Sequence, residues 1–193
     1  MIIAEAMSDA RWSWLVARAA EVSAMGPDAV AELLSEELAK IDDRIAAEVH
    51  DVEGTREVMI TAGGEADAFP LVRELVASAP ALPRWSFSAF RPGRGFDFEV
   101  HAGPMVFDAK QLGFQPLSAD EAPSQLAIRL LVPNPQLEEW AEIVLQIIEA
   151  GVGEEAAALI AYLEIDKRRD DSKNVFALES LPGWIERHRD AAG

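Results

Sequence analysis

The sequence predicts an α+β fold. It reads as a mixed, mainly antiparallel sheet built from two β-α-β units in a ferredoxin-like arrangement with extra strands, plus an N-terminal helical hairpin and a short C-terminal helix. Three observations carry this expectation. Strand-like runs at 57–62 and 84–91 flank a helix-patterned run at 67–79, and runs at 125–132 and 156–166 flank another at 136–150. Two strands joined through a helix favour parallel pairing and a right-handed crossover. Short turn signals between the two units favour antiparallel hairpins.

Taken in order, Trp12, Leu15, Val16, Ala19 and Val22 recur at helical spacing over 10–23. Gly26-Pro27-Asp28 ends that helix and begins the next, since glycine suits the position past a helix end and proline the first turn. Val30, Leu33, Leu34, Leu38 and Ile41 give the second helix its stripe. Each stripe needs a surface, so the hairpin at 10–42 is expected to dock on the sheet. Residues 1–6 add no pattern, which makes Met7 an alternative start to Met1. Strands at about 45–52 and 56–62 turn at Gly54, and in the second Val58 and Ile60 alternate with Glu57, Met59 and Thr61. Asp67 reads as the N-cap of a helix that buries Phe69, Val72, Leu75, Val76 and Ala79 and stops at Pro80 and Pro83. Runs 84–91 and 95–101 read as strands joined by a tight hairpin at Pro92-Gly93-Arg94.

Farther along, 105–107 and 113–117 read as short strands and 118–124 as a loop. Leu126, Ile128, Leu130 and Val132 mark one face of a strand stopped by Pro133 and Pro135. Leu137, Trp140, Ala141, Val144, Ile147 and Ile148 mark the strongest helix, ended by Gly151 and Gly153. Residues 156–166 read as a strand, 167–174 as a solvated charged run, and 179–188 as the terminal helix. No domain boundary interrupts this pattern, so 1–193 is expected to form a single domain.

Composition narrows the function classes. The 193 residues are 50% hydrophobic and 26% charged, which is globular composition with enough interior to fold without staples. Cysteine is absent, which removes disulfides, thiolate metal sites and a cysteine nucleophile. Seventeen Lys and Arg face 34 Asp and Glu, for a net charge of -17. A field of that sign repels phosphate backbones and anionic lipid, so neither nucleic acid nor membrane is an expected partner. The start resembles no secretory signal and no apolar run approaches membrane-spanning length, so a soluble cytoplasmic protein is predicted. No cofactor is called for.

Several short stretches look familiar together: Trp12-Ser13-Trp14, Ile60-Thr61-Ala62-Gly63-Gly64, Ala79-Pro80-Ala81-Leu82-Pro83-Arg84-Trp85, Phe90-Arg91-Pro92 and Gly153-Glu154. In these the chain resembles a group of uncharacterised bacterial α+β proteins with no assigned function, over roughly residues 12–185. The resemblance implies the fold and carries no reaction, ligand or partner.

Three candidate sites stand out. In GFDFEVH, Asp97, Glu99 and His101 alternate with Phe96, Phe98 and Val100, which places two acids and a histidine on one face of a strand. Neighbours on that face lie about 6–7 Å apart, so a metal would need further ligands, with His50 and Glu48 as the nearest pattern. The other reading, favoured by the clean alternation, is a hydrated strand face. Gly63 and Gly64 precede a helix whose N-terminal amides, with Arg91 and Arg94, would form an anion site at the sheet edge. Arg91 paired with a neighbouring acid is the alternative. Glu154-Glu155 after Gly-Val-Gly reads as a structural turn rather than an acid–base pair. No nucleophile elbow is present and the tryptophans read as core. The function expected is therefore a non-catalytic binding or protein-interaction protein, with a protein partner or a homodimer through exposed sheet edges. The alternative is a small-ligand (anion) sensor or enzyme using the Gly63/Arg91 edge or the Asp97/His101 face.

Overall fold

The two helix-linked strand pairs form as their patterns demand. In the computed structural model, which describes residues 10–102, 105–117, 126–132, 140–167 and 174–192, both are parallel pairs. The readings for the start methionine, the loop at 118–124, Pro133, Pro135, Leu137 and the charged run at 168–173 fall outside those residues. The architecture is α+β, with two mixed sheets of three and four strands and a separate two-stranded ribbon. The chain clusters into two compact units, Met1–Arg91 and Pro92–Gly193.

In the first unit, a 3-10 turn at Ala10–Trp12 leads into α1 (Ser13–Ala17) and α2 (Ala19–Ser23), which break at Arg18, then α3 (Pro27–Ala39). Pro27 sits in the first turn of α3, where its missing N–H costs nothing. β1 (Ala46–Val52) pairs antiparallel with β2 (Thr55–Thr61), and α4 (Phe69–Ala77) carries the chain to β3 (Trp85–Ala89), parallel to β2. One side of this sheet carries the row Val49–Val58–Phe87. α3 packs on β1, and Val30, Leu34, Val72 and Leu75 are fully buried. Each such side chain contributes about 1.5–3 kcal/mol of burial. Trp12 is buried too, its indole N–H donating to the Leu75 carbonyl at 3.1 Å and its ring meeting Phe87 edge-on.

The entry to α4 differs from expectation. Asp67 is not its N-cap: a 3-10 turn at Ala66–Ala68 comes first and Ala68 occupies the cap position with no side-chain bond. Phe69-Pro70 explains the shift, because proline fits the first turn with its φ already helical.

In the second unit, β4 (Glu99–Ala102) and β5 (Met105–Asp108) form the ribbon. β6 (Gly113–Leu117) pairs antiparallel with β7 (Leu126–Val132), and α5 (Trp140–Val152) crosses to β8 (Ile160–Lys167), parallel to β7. The two-residue β9 (Phe176–Ala177) adds to β6, and α7 (Leu181–Ala192) closes the unit. Ile128, Leu130, Val144, Ile147, Leu181 and Ile185 share one core.

Two expectations fail here for nonlocal reasons. Pro92-Gly93-Arg94 does not join a hairpin, since β3 pairs with β2 and β4 with β5. Instead the Arg94 and Gly95 N–H groups donate to the Ala150 and Gly151 carbonyls at 2.9 and 3.0 Å, capping the end of α5. Residues 156–159 are not strand either. α6 (Glu154–Ala157) intervenes, entered through Gly153 at φ 91, and β8 begins at Ile160.

Local ion pairs set one pH dependence. The Arg44 guanidinium and backbone N–H hold the Asp42 carboxyl down at about 2, with bonds of 2.6–3.1 Å. The Arg56 guanidinium likewise lowers Asp51. A carboxyl depressed on folding stabilises above its unfolded value of about 4 and loses that contribution as pH falls through its folded value. Asp42→Asn is therefore expected to lower the thermal midpoint at pH 7. The difference from the wild type should close between about pH 4 and pH 2, read by calorimetry across that range.

Candidate functional site

Helices cover one side of the three-stranded sheet, and the other side carries a set of polar groups that register brings together. Across β1, β2 and β3, His50 lies opposite Glu57 and Glu57 opposite Ser86. The next row is Glu48, Met59 and Ser88. Strand spacing puts neighbours in a row about 5 Å apart. His50, Glu57, Ser86 and Ser88 are exposed, while Met59 at the centre and Glu48 are half-buried. Val52 adds apolar surface at 44% exposure.

Of the anion-site residues, Gly63, Gly64 and Arg91 do share one edge. Ile60 pairs with Ala89 and the Phe90 N–H donates to the Ile60 carbonyl, so β2 and β3 end together. Gly63 and Gly64 both take positive φ, 60° and 87°, which explains glycine at this turn. The Gly63 N–H donates to the Thr61 hydroxyl at 3.0 Å. The Arg91 guanidinium donates to Glu48 at 2.5 Å, so its charge faces the open side of the sheet and meets a carboxylate there. Arg94 belongs to the second unit and lies over the Phe98 ring at 4.3 Å.

The ribbon sorts its side chains as the alternation implies. Asp97, Glu99 and His101 are exposed, Phe96 is buried, and Phe98 and Val100 are half-buried. Asp97 pairs with Lys110 at 2.6 Å, which raises the lysine's pKa. Glu99 stands opposite Asp108 and His101 opposite Val106. His50 is in the first unit and His101 in the second. Among the described residues, no group of three or more His, Asp and Glu is arranged to hold a metal ion. Glu154 and Glu155 open α6, the first buried and the second exposed.

A second polar set went unread in the sequence. On the four-stranded sheet, Gln115, Arg129 and Glu164 occupy one cross-strand row. Arg129 donates to Glu164 at 2.7 Å and to Gln115 at 3.4 Å, and the Tyr162 hydroxyl donates to Glu164 at 2.8 Å. Tyr162 and then Arg129 lower the Glu164 carboxyl, and Glu164 in turn raises the Tyr162 phenol. The available signal was a lone arginine within an apolar strand and the only tyrosine of the chain. The open face of the first unit had a signal too: Ser86 and Ser88 alternate with Trp85, Phe87 and Ala89.

Among the described residues no helix is long and apolar enough to cross a membrane. Set against family models, curated proteins and solved structures, the chain matches none of them, so its functional reading rests on these residues alone.

Proposed function

We propose that the chain is a non-catalytic binding protein that engages a basic protein partner through the open face of its three-stranded sheet. The observation that carries this reading is the layout of that face. A half-buried methionine sits at the centre, ringed by exposed Glu57, His50, Ser86 and Ser88. An adaptable apolar centre inside a polar rim is the anatomy of a protein interface. A net charge of -17 steers a basic partner toward it and slows acidic ones. The reading takes in the soluble, cytoplasmic setting, the resemblance to uncharacterised bacterial α+β proteins, and the ferredoxin-like arrangement with a docked N-terminal helical hairpin, each as the sequence leads us to expect it.

The competing reading, a small-anion sensor at the Gly63/Arg91 edge, gains from the shared end of β2 and β3. It loses from the bond that ties Arg91 to Glu48. The test is affinity capture from the native cells with purified wild type and with Glu57→Lys/Ser88→Lys. Both positions are exposed, so stability should stay within about 0.5 kcal/mol. We expect a reproducible basic partner whose recovery falls about tenfold or more with the variant, as a loss of about 1.4 kcal/mol would give. Failure of the wild type to return any reproducible partner, or equal recovery by both proteins, contradicts the reading.

A further inference from the structure

We infer that β8 is a self-pairing edge: two copies of the chain join β8 to β8 antiparallel about a two-fold axis at Leu163, making one continuous sheet. Among the described residues β8 pairs only with β7, although at eight residues it is the longest strand. An edge of that length left open presents a row of backbone donors and acceptors. Its side chains are also incompletely covered. Leu163 and Ile165 pack against the core yet remain half-buried, and Tyr162 is 53% exposed.

Charge selects both the occupant and the register. A two-fold at Glu164 would set Glu164 against its own copy, and one at Ile165 would set Glu164 against Asp166. Like charges directly opposite destabilise a sheet. A two-fold at Leu163 sets Leu163 against Leu163 on the core side and Glu164 against Tyr162 on the other side. Within one chain the Tyr162 hydroxyl already donates to Glu164 at 2.8 Å, so the groups that meet across the axis are complementary. Arg129, bonded to Glu164 at 2.7 Å, further neutralises the carboxylate nearest the axis. Of these three alignments, only the one centred on Leu163 avoids setting like charges against each other. This inference is independent of the open face of the first unit.

The net charge of -17 on each copy opposes association over distance, and salt screens it. The dimer should therefore tighten as salt rises, the reverse of an interface held by ion pairs. Light scattering of the full chain should give about twice 21.0 kDa at 0.5 M NaCl, with a lower average mass at 10 mM. Tyr162→Glu, which sets two carboxylates opposite each other across the axis, should be monomeric at 0.5 M NaCl. Because the chain has no cysteine, Leu163→Cys reports the register directly. Its introduced thiols face each other at disulfide distance and should cross-link under mild oxidation. In Ile165→Cys they would be about 13 Å apart along the strands and should not. A wild type that stays monomeric at high salt overturns the inference, as does cross-linking of Ile165→Cys equal to that of Leu163→Cys. Wild-type scattering decides the matter even if a cysteine variant fails to fold.

Discussion

Gly93→Ala is expected to destabilise the second unit by about 2–5 kcal/mol, combining overpacking with lost hydrogen bonds. A Cβ at Gly93 would stand 2.5 Å from the Val152 carbonyl carbon, 2.7 Å from its oxygen and 2.8 Å from the Gly151 oxygen. The obstacle is backbone, so no rotamer change relieves it. Moving the segment away breaks the Arg94 and Gly95 bonds that cap α5. Gly151→Ala tests the same contact from the other side. Inside a helix, alanine for glycine normally gains about 1 kcal/mol. Here the new methyl would run into the Phe96 ring, and Phe96 is only 2% exposed, so packing should reverse the sign. Gly183→Ala in α7 is the control: its nearest neighbour is the Arg187 side chain at 3.5 Å, so it should be neutral or stabilising. Urea unfolding of the three variants, followed by circular dichroism, checks the order.

Arg56→Ala should cost the first unit about 2–4 kcal/mol, because it removes four charge-assisted hydrogen bonds and the packing of a nearly buried side chain. Arg56 is the hub that fixes α2 to the sheet. It donates to the Val22 and Met25 carbonyls at 3.1 and 2.8 Å, at the end of α2, where a cation also suits the helix dipole. It grips Asp51 through two bonds of 2.9 and 3.0 Å and lies over the Trp85 ring at 5.4 Å. Only 10% of its side chain is exposed. Arg56→Lys should retain part of the effect, since an ammonium cannot span both carbonyls and the carboxylate with the planar fork. Arg18→Ala removes a pair that is equally short but exposed, with Glu21, and should leave the unfolding midpoint unmoved. Thermal unfolding of the three variants gives the comparison. Equal behaviour of Arg56→Ala and Arg18→Ala would contradict the assignment of Arg56 as hub.

What the sequence made legible was local. The β2-α4-β3 and β7-α5-β8 crossovers were readable because each helix stripe and each alternating strand is a pattern of a few residues. The sorting of Asp97, Glu99 and His101 to solvent was readable for the same reason. Pro92-Gly93 was misread because the reason for glycine there is a helix end almost sixty residues away, which no turn propensity encodes. Asp67 lost the cap to Ala68 because Pro70 favoured a start one residue later. The open face was half-visible. The alternation put Glu57, Met59, Ser86 and Ser88 on one side of their strands, but only strand pairing sets His50 beside Glu57 and Glu48 beside Met59. Arg91 meeting Glu48 across 43 positions was anticipated in kind, as a pairing with some acid, but not in partner.

Hydroxyl-radical footprinting of the captured complex, read by mass spectrometry, tests the binding account most directly. Methionine and histidine are oxidised readily when solvent reaches them. Met59 and His50 mark the open face, whereas His101, exposed on the β4 strand, serves as the internal control. The account predicts strong protection of Met59 and His50 by the partner, with oxidation of His101 unchanged. Unprotected Met59 and His50 in a complex that shields His101 would contradict it and move the function to the Asp97–His101 ribbon.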